Sequence, residues 1–300
     1  MYLDKFVLPD VEQEERIVEI KMKENGGEFG YLDNGYPCGL FTSIGLTEID
    51  FEKVTVICGG NGSGKSTLLN VIAQKLQLKR MSPFNDSELF SLYTEACAFR
   101  LAVDERGRKQ KIPQGSAVIT SDDVFDYMLA ARTTNEEVEE NIAEGRDRYA
   151  ALKFGESIKL RGLENYEDFR MQVLARKKSL SRRMFLRQFA GRDVKLNSNG
   201  ETAIDYFVQH LANGTLFCLD EPENSLSPKM QVLLKEVIED KSRYCGCQFV
   251  ISTHSPFILA TAGAKIYDLD TTPVSLKKWW EVENTKTYFD FFHKNRDLFR

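Results

Sequence analysis

Glycine is concentrated directly before Lys65 and two hydroxyl side chains, in the stretch GGNGSGKSTLLN at 59–70. The pattern G-x-x-x-x-G-K-[ST] fits this stretch, which lies between an apolar run and an amphipathic segment. Glycines let backbone amides turn toward phosphate oxygens, and the positive end of the following helix adds attraction. We therefore predict a phosphate-binding loop whose contacts are Gly59, Asn61, Gly62, Ser63, Gly64, Lys65, Ser66 and Thr67.

The side chains at the end of this loop have different predicted tasks. Lys65 reaches the β and γ phosphates of a nucleotide, and Ser66 offers its hydroxyl to Mg²⁺. Thr67 bonds the α phosphate. A loop of this kind binds a nucleotide, but hydrolysis also needs an acid near the metal and a group that orients water.

An acid pair follows a second apolar run, in LFCLDEPENSLSP at 216–228. Four apolar residues predict a buried strand that delivers Asp220 at its C-terminal end, where it holds Mg²⁺ or a metal-bound water. Glu221 is one residue further and is placed to polarise the attacking water. Ser227 and Pro228 then predict the N-cap and the first position of a helix.

The stretch FVISTHSPF at 249–257 repeats this arrangement. A buried strand delivers His254, one of three histidines in the chain, to the same sheet edge, where it can contact a γ phosphate. Lys65, Glu221 and His254 are therefore the predicted catalytic residues.

Together these residues resemble an ABC-type ATPase of the branch that includes SMC, RecF-like and OLD-like proteins. In this reading the Walker A motif is 59–67, the Walker B motif is 216–221, the D-loop is 224–228 and the switch histidine is His254. The DEPE and THSP sequences are more similar to that branch than to transporter subunits. The resemblance covers about 40–75 and 195–270, and it implies an α/β P-loop NTPase with an ABC-ATPase-like mixed sheet, binding ATP and Mg²⁺.

That family has one more element, the signature LSGGQ, which closes over the ATP of the opposite subunit. The best match here is NSNGE at 197–201, in which Ser198 and Gly200 match and the other positions depart. A serine and a glycine at a helix N-terminus make a suitable phosphate clamp. The resemblance therefore implies a homodimer arranged head to tail around two ATP molecules, with Ser198 acting in trans.

The Q-loop, which carries a glutamine toward Mg²⁺ in that family, has two candidate locations. Gln114 precedes the predicted strand at 116–120, whereas TSDD at 120–123 follows it and would use Ser121 or Asp122. Position along the chain favours the second location, and no single residue is assigned.

A sheet must bring these motifs together. We predict strands at 16–22, 46–51, 53–58, 116–120, 215–219, 248–252 and 265–269, the last of these being the final strand. We predict helices at 65–78, at 228–240, after Pro256 and at 285–299, and a charged turn at 104–107 between two further strands. Strands that alternate with helices predict a mainly parallel sheet with flanking helices.

The amino-acid composition changes at 121–190, where proline is absent and Glu, Arg, Lys and Leu dominate. We predict an ATPase core formed by 1–120 and 191–300, with a helical insertion at 121–190. The insertion carries six basic residues in twelve at 176–187. This run has two interpretations, contact with a nucleic-acid backbone or a solvated helix face, and we favour the second.

Aromatic residues are dense near the C-terminus. They predict either a helix packed on the core or an interface with a partner or a second subunit, and we favour the first. About thirty residues follow the last predicted strand, so we expect any nuclease or effector activity on a separate polypeptide. The aromatic residues are Trp279, Trp280, Tyr288, Phe289, Phe291 and Phe292.

Composition excludes several classes of protein. The net charge of −5 does not indicate a general nucleic-acid binder. No apolar run approaches the ~18 residues of a membrane span, and the N-terminus lacks a secretory signal pattern. Six cysteines are scattered along the chain and are predicted to be reduced. We expect a cytoplasmic protein without membrane insertion.

We predict an ATPase that dimerises around ATP and drives or gates a partner, and the resemblance points to antiphage defence or DNA repair. One alternative is the ATPase subunit of a membrane transporter, which the weak signature and the long insertion oppose. Another is a nucleotide-gated scaffold with negligible turnover, which Glu221 and His254 oppose.

Overall fold

The computed structural model describes residues 1–26, 32, 34–84, 86–131, 151–152, 166–176, 199–224 and 226–299. The strands within them are β1 (Leu3–Val7), β2 (Glu48–Asp50), β3 (Val54–Cys58), β4 (Ala98–Leu101), β5 (Ala117–Thr120), β6 (Leu216–Asp220), β7 (Gln248–Ser252), β8 (Lys265–Asp268) and β9 (Ser275–Lys277). The helices are α1 (Val11–Gly26), α2 (Lys65–Lys75), α3 (Phe90–Ala96), α4 (121–131), α5 (Tyr166–Arg176), α6 (Asn199–His210), α7 (Pro228–Tyr244), α8 (Pro256–Leu259) and α9 (Glu283–Lys294).

In the described part of the chain, six strands form the main sheet, in the order β5-β6-β7-β3-β8-β9. The first five run parallel, and β9 runs antiparallel to β8. Asp220 pairs in register with both Thr120 and Ser252. The C-terminal ends of the parallel strands therefore meet at one edge of the sheet, and the predicted mixed α/β core is confirmed.

The central strands are apolar because both of their faces are covered. Every residue of β3 and β7 is buried, and so are the first four residues of β6. Helix α2 packs against β6 and β7 and buries Leu68, Leu69 and Ile72. A short helix that is apolar on most of its circumference is stable only when it is buried against other elements. The packing of α2 on β6 and β7 therefore fixes the position of the phosphate loop that precedes it.

A smaller antiparallel sheet has the order β2-β1-β4 within the described residues. The buried side chain of Gln248 connects it to the main sheet, because its Oε1 accepts from the amides of Tyr2 and Leu3. Its Nε2 donates to the carbonyl of Leu3 at 2.7 Å. This single amide side chain therefore satisfies backbone groups at the start of β1 that would otherwise be buried without partners.

The predicted strand at 16–22 is wrong, because this segment lies inside α1. Asp10 caps the helix: its carboxylate accepts from the Gln13 amide, and the Gln13 side chain accepts from the Asp10 amide. Ile17 is buried but Ile20 is exposed, so a single stripe of α1 faces the core. The apolar residues alternate by chance at the strand period, and the capping box decided the outcome.

Two further expectations are corrected near the ends of strands. β8 is not the final strand, since β9 follows it. The turn at 104–107 is present, with the Gly107 amide donating to the Asp104 carbonyl at 2.9 Å. The strand expected after that turn is reduced to a bridge between Val103 and Lys109.

The aromatic residues near the C-terminus do not pack on the core, so the favoured interpretation is wrong. Phe289 is 65% exposed and Phe291 is 61% exposed. Of α9, only Thr285 is buried among the described residues. The helix is attached at its start instead, where the side chain of Asn284 donates to the carbonyl of His254.

The chain divides into two compact units, one formed by Met1–Phe125 with Ala203–Arg300 and the other by Asp126–Thr202. The predicted domain boundaries at 121 and 190 stay a prediction. The basic run lies outside the described residues except for Arg176, whose Nε donates to the Leu152 carbonyl at 3.2 Å. Within the described ranges, no helix is both long and apolar enough to cross a membrane.

Candidate active site

The C-terminal edge of the parallel strands gathers most of the predicted site residues. β3 leads into the loop 59–64, β6 ends at Asp220 and β7 ends two residues before His254. Open α/β sheets place their ligand sites at this edge, because loops leave it from neighbouring strands. The residues predicted from three separate motifs therefore come together.

The loop before α2 has the backbone of a phosphate cradle. Gly59, Gly62 and Gly64 have φ values of 151°, 81° and 93°, which other residues rarely adopt. A Cβ at Gly59 would lie 2.6 Å from Ser63 Oγ, so a side chain does not fit there. The Ser63 hydroxyl is buried and has no hydrogen-bond partner among the described residues. The loop thus offers a polar group that remains to be satisfied.

Lys65 is 4% exposed and points back into the loop. Its ammonium donates to the carbonyls of Gly59 and Gly60, each at 2.9 Å. Glu221 Oε1 lies 3.6 Å from the same nitrogen. A buried ammonium is costly unless opposite charge and hydrogen bonds surround it. The position of the Lys65 ammonium inside the loop suits binding of anionic phosphate oxygens.

Ser66 and Asp220 lie together on the other side of the loop. The Ser66 hydroxyl donates to Asp220 Oδ1 at 2.9 Å, and the Ser252 hydroxyl donates to the same oxygen. Burial raises the pKa of Asp220, and these two hydrogen bonds oppose the rise. The carboxylate oxygen of Asp220 and the hydroxyl oxygen of Ser66 are the kind of oxygen ligands that Mg²⁺ prefers.

Glu221 occupies a strained backbone position with a φ of 46°. Its Oε2 accepts from the Asn224 side chain at 2.9 Å. Its Oε1 lies 3.6 Å from Lys65 Nζ and 4.0 Å from His254 Nδ1. Strain of this kind is typical of functional turns, and it aims the carboxylate at the two other predicted catalytic side chains.

His254 is half-exposed, and its Nδ1 is buried without a hydrogen-bond partner in the described part of the molecule. Oε1 of Glu223 lies 3.4 Å from that nitrogen. Glu223 is not among the site residues predicted from the sequence. The signal available for it was the third acid in DEPE, three residues after Asp220.

Two other residues at the site were also missed. Tyr36 lines a cavity of about 500 Å³ together with Leu40, the loop, and Glu221. Its hydroxyl donates to Thr67 Oγ1 at 3.0 Å, and its ring stacks on Phe90. No local pattern marks this tyrosine, because Tyr36 and Thr67 meet only through the fold.

Asp270 is the second of these residues. Both of its carboxylate oxygens accept from the Gly60 amide, at 2.9 and 2.8 Å. The two residues are 210 positions apart in the sequence. The available signal was an acid directly after a strand, the same arrangement that identified Asp220.

The predicted signature and Q-loop are placed only in part. Ser198 lies outside the described residues, and Gly200 lies in the first turn of α6. Gln114 is exposed and lies just before the N-terminal end of β5. Asp220 pairs with Thr120 at the C-terminal end of β5, so Gln114 is not near the site. Ser121 and Asp122 follow β5 at the correct edge of the sheet.

Protein-family models match much of the chain. A family model described as ABC transporter matches residues 47–224, more than half of the chain. The chain belongs to this family of ABC-type ATPases. A second model, an AAA domain whose description names the AbiEii toxin and a type IV TA system, matches residues 192–260 of the same ABC-type ATPase. No curated protein matches the chain.

Solved structures similar to this ABC-type ATPase have low sequence identity. A nucleotide-free ATP-binding cassette from an ABC transporter is 17% identical, with a TM-score of 0.39 over 97% of this chain and 96% of that chain. The SMC head domain from Thermotoga maritima is 16% identical, with a TM-score of 0.36 over 93% and 99% of the two chains. A Smc head domain derived from Pyrococcus furiosus is 15% identical, with a TM-score of 0.37 over 83% and 95%.

The site of this ABC-type ATPase fits a nucleotide with Mg²⁺. The unsatisfied Ser63 hydroxyl and the buried Lys65 ammonium suit phosphate oxygens. Ser66 and Asp220 suit Mg²⁺, which needs only one or two protein oxygens when phosphates supply the others. Among the described residues, no group of three or more His, Cys, Asp or Glu side chains could hold a metal ion without such help.

Proposed function

We propose that this ABC-type ATPase binds Mg-ATP in the loop between β3 and α2, hydrolyses it, and gates or drives a partner protein. One observation carries the proposal: Glu221 Oε1 lies within 4.0 Å of both the Lys65 ammonium and the His254 ring. A loop that merely bound a nucleotide would not need an acid and a histidine at the same point. The grouping matches what hydrolysis of a phosphoanhydride requires.

Each residue has a proposed role. Lys65 and the loop amides hold the phosphates, and Ser66 and Asp220 hold Mg²⁺. When bound, Mg²⁺ neutralises charge on the phosphate oxygens and orients them. Glu221 polarises the attacking water, and His254 contacts the γ phosphate. These assignments rest on the distances given above and on the family.

We further propose that two chains enclose two ATP molecules, with Ser198 and Gly200 of each chain acting on the ATP of the other. The side chain of His254 is 43% exposed and that of Glu221 is 25% exposed, so solvent reaches both proposed catalytic groups in the single chain. Hydrolysis of a phosphoanhydride benefits from exclusion of bulk water. A second subunit would supply that exclusion.

The biological role is proposed only by association. The description of the model that matches 192–260 names a toxin and a type IV TA system, which is compatible with antiphage defence. DNA repair is the other role that the resemblance suggests. A strain that expresses the chain with its neighbouring genes should resist phage infection if defence is correct, whereas DNA-damage sensitivity after gene deletion would favour repair.

The first experiment is ATP turnover and molar mass by light scattering, with and without Mg-ATP, for the wild type and Glu221→Gln. We expect turnover in the wild type, and a twofold increase in mass for the variant because it binds ATP but cannot complete hydrolysis. Rapid turnover by Glu221→Gln would refute its assigned role. An ATP-independent monomer would refute the proposed dimer.

The transporter alternative keeps one observation in its favour, the description of the family model that matches 47–224. Co-purification of the chain with a membrane protein from its native host would support it. The scaffold alternative predicts ATP-dependent dimerisation without turnover, which the same experiment measures.

A further inference from the structure

A buried carboxylate lies against residues 253–255, the histidine loop, which follows β7. Glu223 is 4% exposed, and its Oε1 accepts from Thr253 Oγ1 at 2.6 Å. The same oxygen accepts from the amides of His254 and Ser255, at 2.8 and 3.2 Å. Three donors from consecutive residues of the loop thus converge on one oxygen of one side chain.

This carboxylate is costly to keep in place. Burial raises the pKa of Glu223, while the hydrogen bonds from Thr253 and His254 oppose the rise. Its other oxygen, Oε2, is buried without a partner among the described residues. A carboxyl group that is this buried is costly, yet three donors of the loop depend on it as their acceptor, so its position requires an explanation.

Further contacts connect the same two segments. The hydroxyl of Ser255 donates to Gln231 Oε1 at 2.7 Å, and Gln231 Nε2 donates to the Leu226 carbonyl at 2.9 Å. The histidine loop is therefore joined to the segment after Glu221 by Glu223 and again through α7. A shift of one segment relative to the other would break several hydrogen bonds at once.

We propose that Glu223 is a positioning residue that holds the His254 loop against the turn carrying Glu221. Glu221 can then polarise the attacking water while His254 contacts the γ phosphate that this water attacks. This inference rests on the proposed ATPase function. Glu223 itself does not touch the nucleotide in this scheme. Its carboxylate fixes the backbone of His254, whose ring lies 4.0 Å from Glu221 Oε1.

The test compares Glu223→Ala, which removes the acceptor, with Glu223→Gln, which keeps its shape and one acceptor oxygen. Misplacing a catalytic group by about 1 Å can cost about 100-fold in rate, and loss of a supporting partner typically costs about 10- to 100-fold. We expect kcat to fall about 10- to 100-fold in Glu223→Ala and less in Glu223→Gln. The KM for ATP should stay within about twofold, because the phosphate loop is untouched.

Glu239→Gln is the matched control. Glu239 is also a carboxylate that accepts from a backbone amide, that of Ala262 at 2.7 Å, but it lies near the far end of α7. It should leave kcat and KM unchanged. Any general effect of loosening α7 would appear in this control.

A double-mutant cycle with His254→Ala, measured in single turnover, separates positioning from other roles. If Glu223 acts through His254, Glu223→Ala should cause little further loss once His254 is removed. Full multiplicative loss in the double variant would overturn the inference. Wild-type protein that binds ATP without turnover would instead refute the proposed function.

Hydrogen exchange of the protein without nucleotide gives a readout independent of turnover. Peptides containing the amides of His254 and Ser255 should exchange faster in Glu223→Ala than in the wild type or in Glu239→Gln. Unchanged exchange at these amides would show that Glu223 does not hold the loop, and would overturn the inference whatever the kinetics.

Discussion

Replacement of Gly59 by alanine tests whether the backbone of the phosphate loop is what binds ATP. Gly59 has a φ of 151°, in a region that is nearly exclusive to glycine. An added Cβ would lie 2.6 Å from Ser63 Oγ and 3.1 Å from Asp270 Oδ1. Both neighbours belong to the loop or hold it, so relief of the contact must move the loop.

The expected cost follows from these two effects. Strain in such a backbone region costs about 1–3 kcal/mol, and an overpacked contact adds about 1 kcal/mol or more. Added together, the two effects cost about 2–4 kcal/mol. At about 1.4 kcal/mol per factor of ten, ATP affinity should fall about 30- to 700-fold if the loop relaxes in the free protein and must return to bind.

The assay is titration calorimetry with ATP and Mg²⁺, combined with Tm from scanning calorimetry. Gly263→Ala is the control, because Gly263 also has positive φ, 74°, yet a Cβ there would contact nothing within 4 Å. That variant should lose about 1–2 kcal/mol of stability and no ATP affinity. If Gly59→Ala binds ATP within about twofold of the wild type and is no less stable than Gly263→Ala, the reasoning is refuted.

Three other predictions concern the edges of the site. Tyr36→Ala should weaken ATP binding about tenfold, because a ring lining the cavity is worth about 1–3 kcal/mol when a base stacks on it; Tyr36→Phe should stay within about threefold by calorimetry. Ser198→Trp should abolish turnover but keep ATP binding, and unchanged turnover would remove the trans-acting signature. Glu223→Gln should alter the pH dependence of Tm: burial raises the pKa of Glu223 above 4.5, so the wild type should lose stability relative to the variant as pH rises from about 4.5. The titratable groups nearby are His254 and, beyond it, Glu221, and equal pH profiles would contradict this assignment.

Local sequence determined the parts of this protein whose chemistry lies in a few consecutive residues. Glycine permits the positive φ that a phosphate-binding loop needs, and three of the four glycines at 59–64 have it in the structure. The apolar runs before Asp220 and His254 predicted buried strands that end at the site, because a short continuous apolar run is typical of a strand that is covered on both faces. The family was therefore recognisable from the motifs alone.

Only the tertiary structure decided which side chains support those motifs. Glu223, Asp270 and Tyr36 contact site residues 31, 210 and 31 positions away in the sequence. A pattern within a short window carries no information about such pairs. The same limit explains the wrong prediction for α1. Its apolar residues alternate as in a strand, but the N-terminal cap and the single buried stripe are those of a helix. This limit also explains α9, whose aromatic face resembled core but is exposed, because burial depends on what the rest of the chain places opposite a helix.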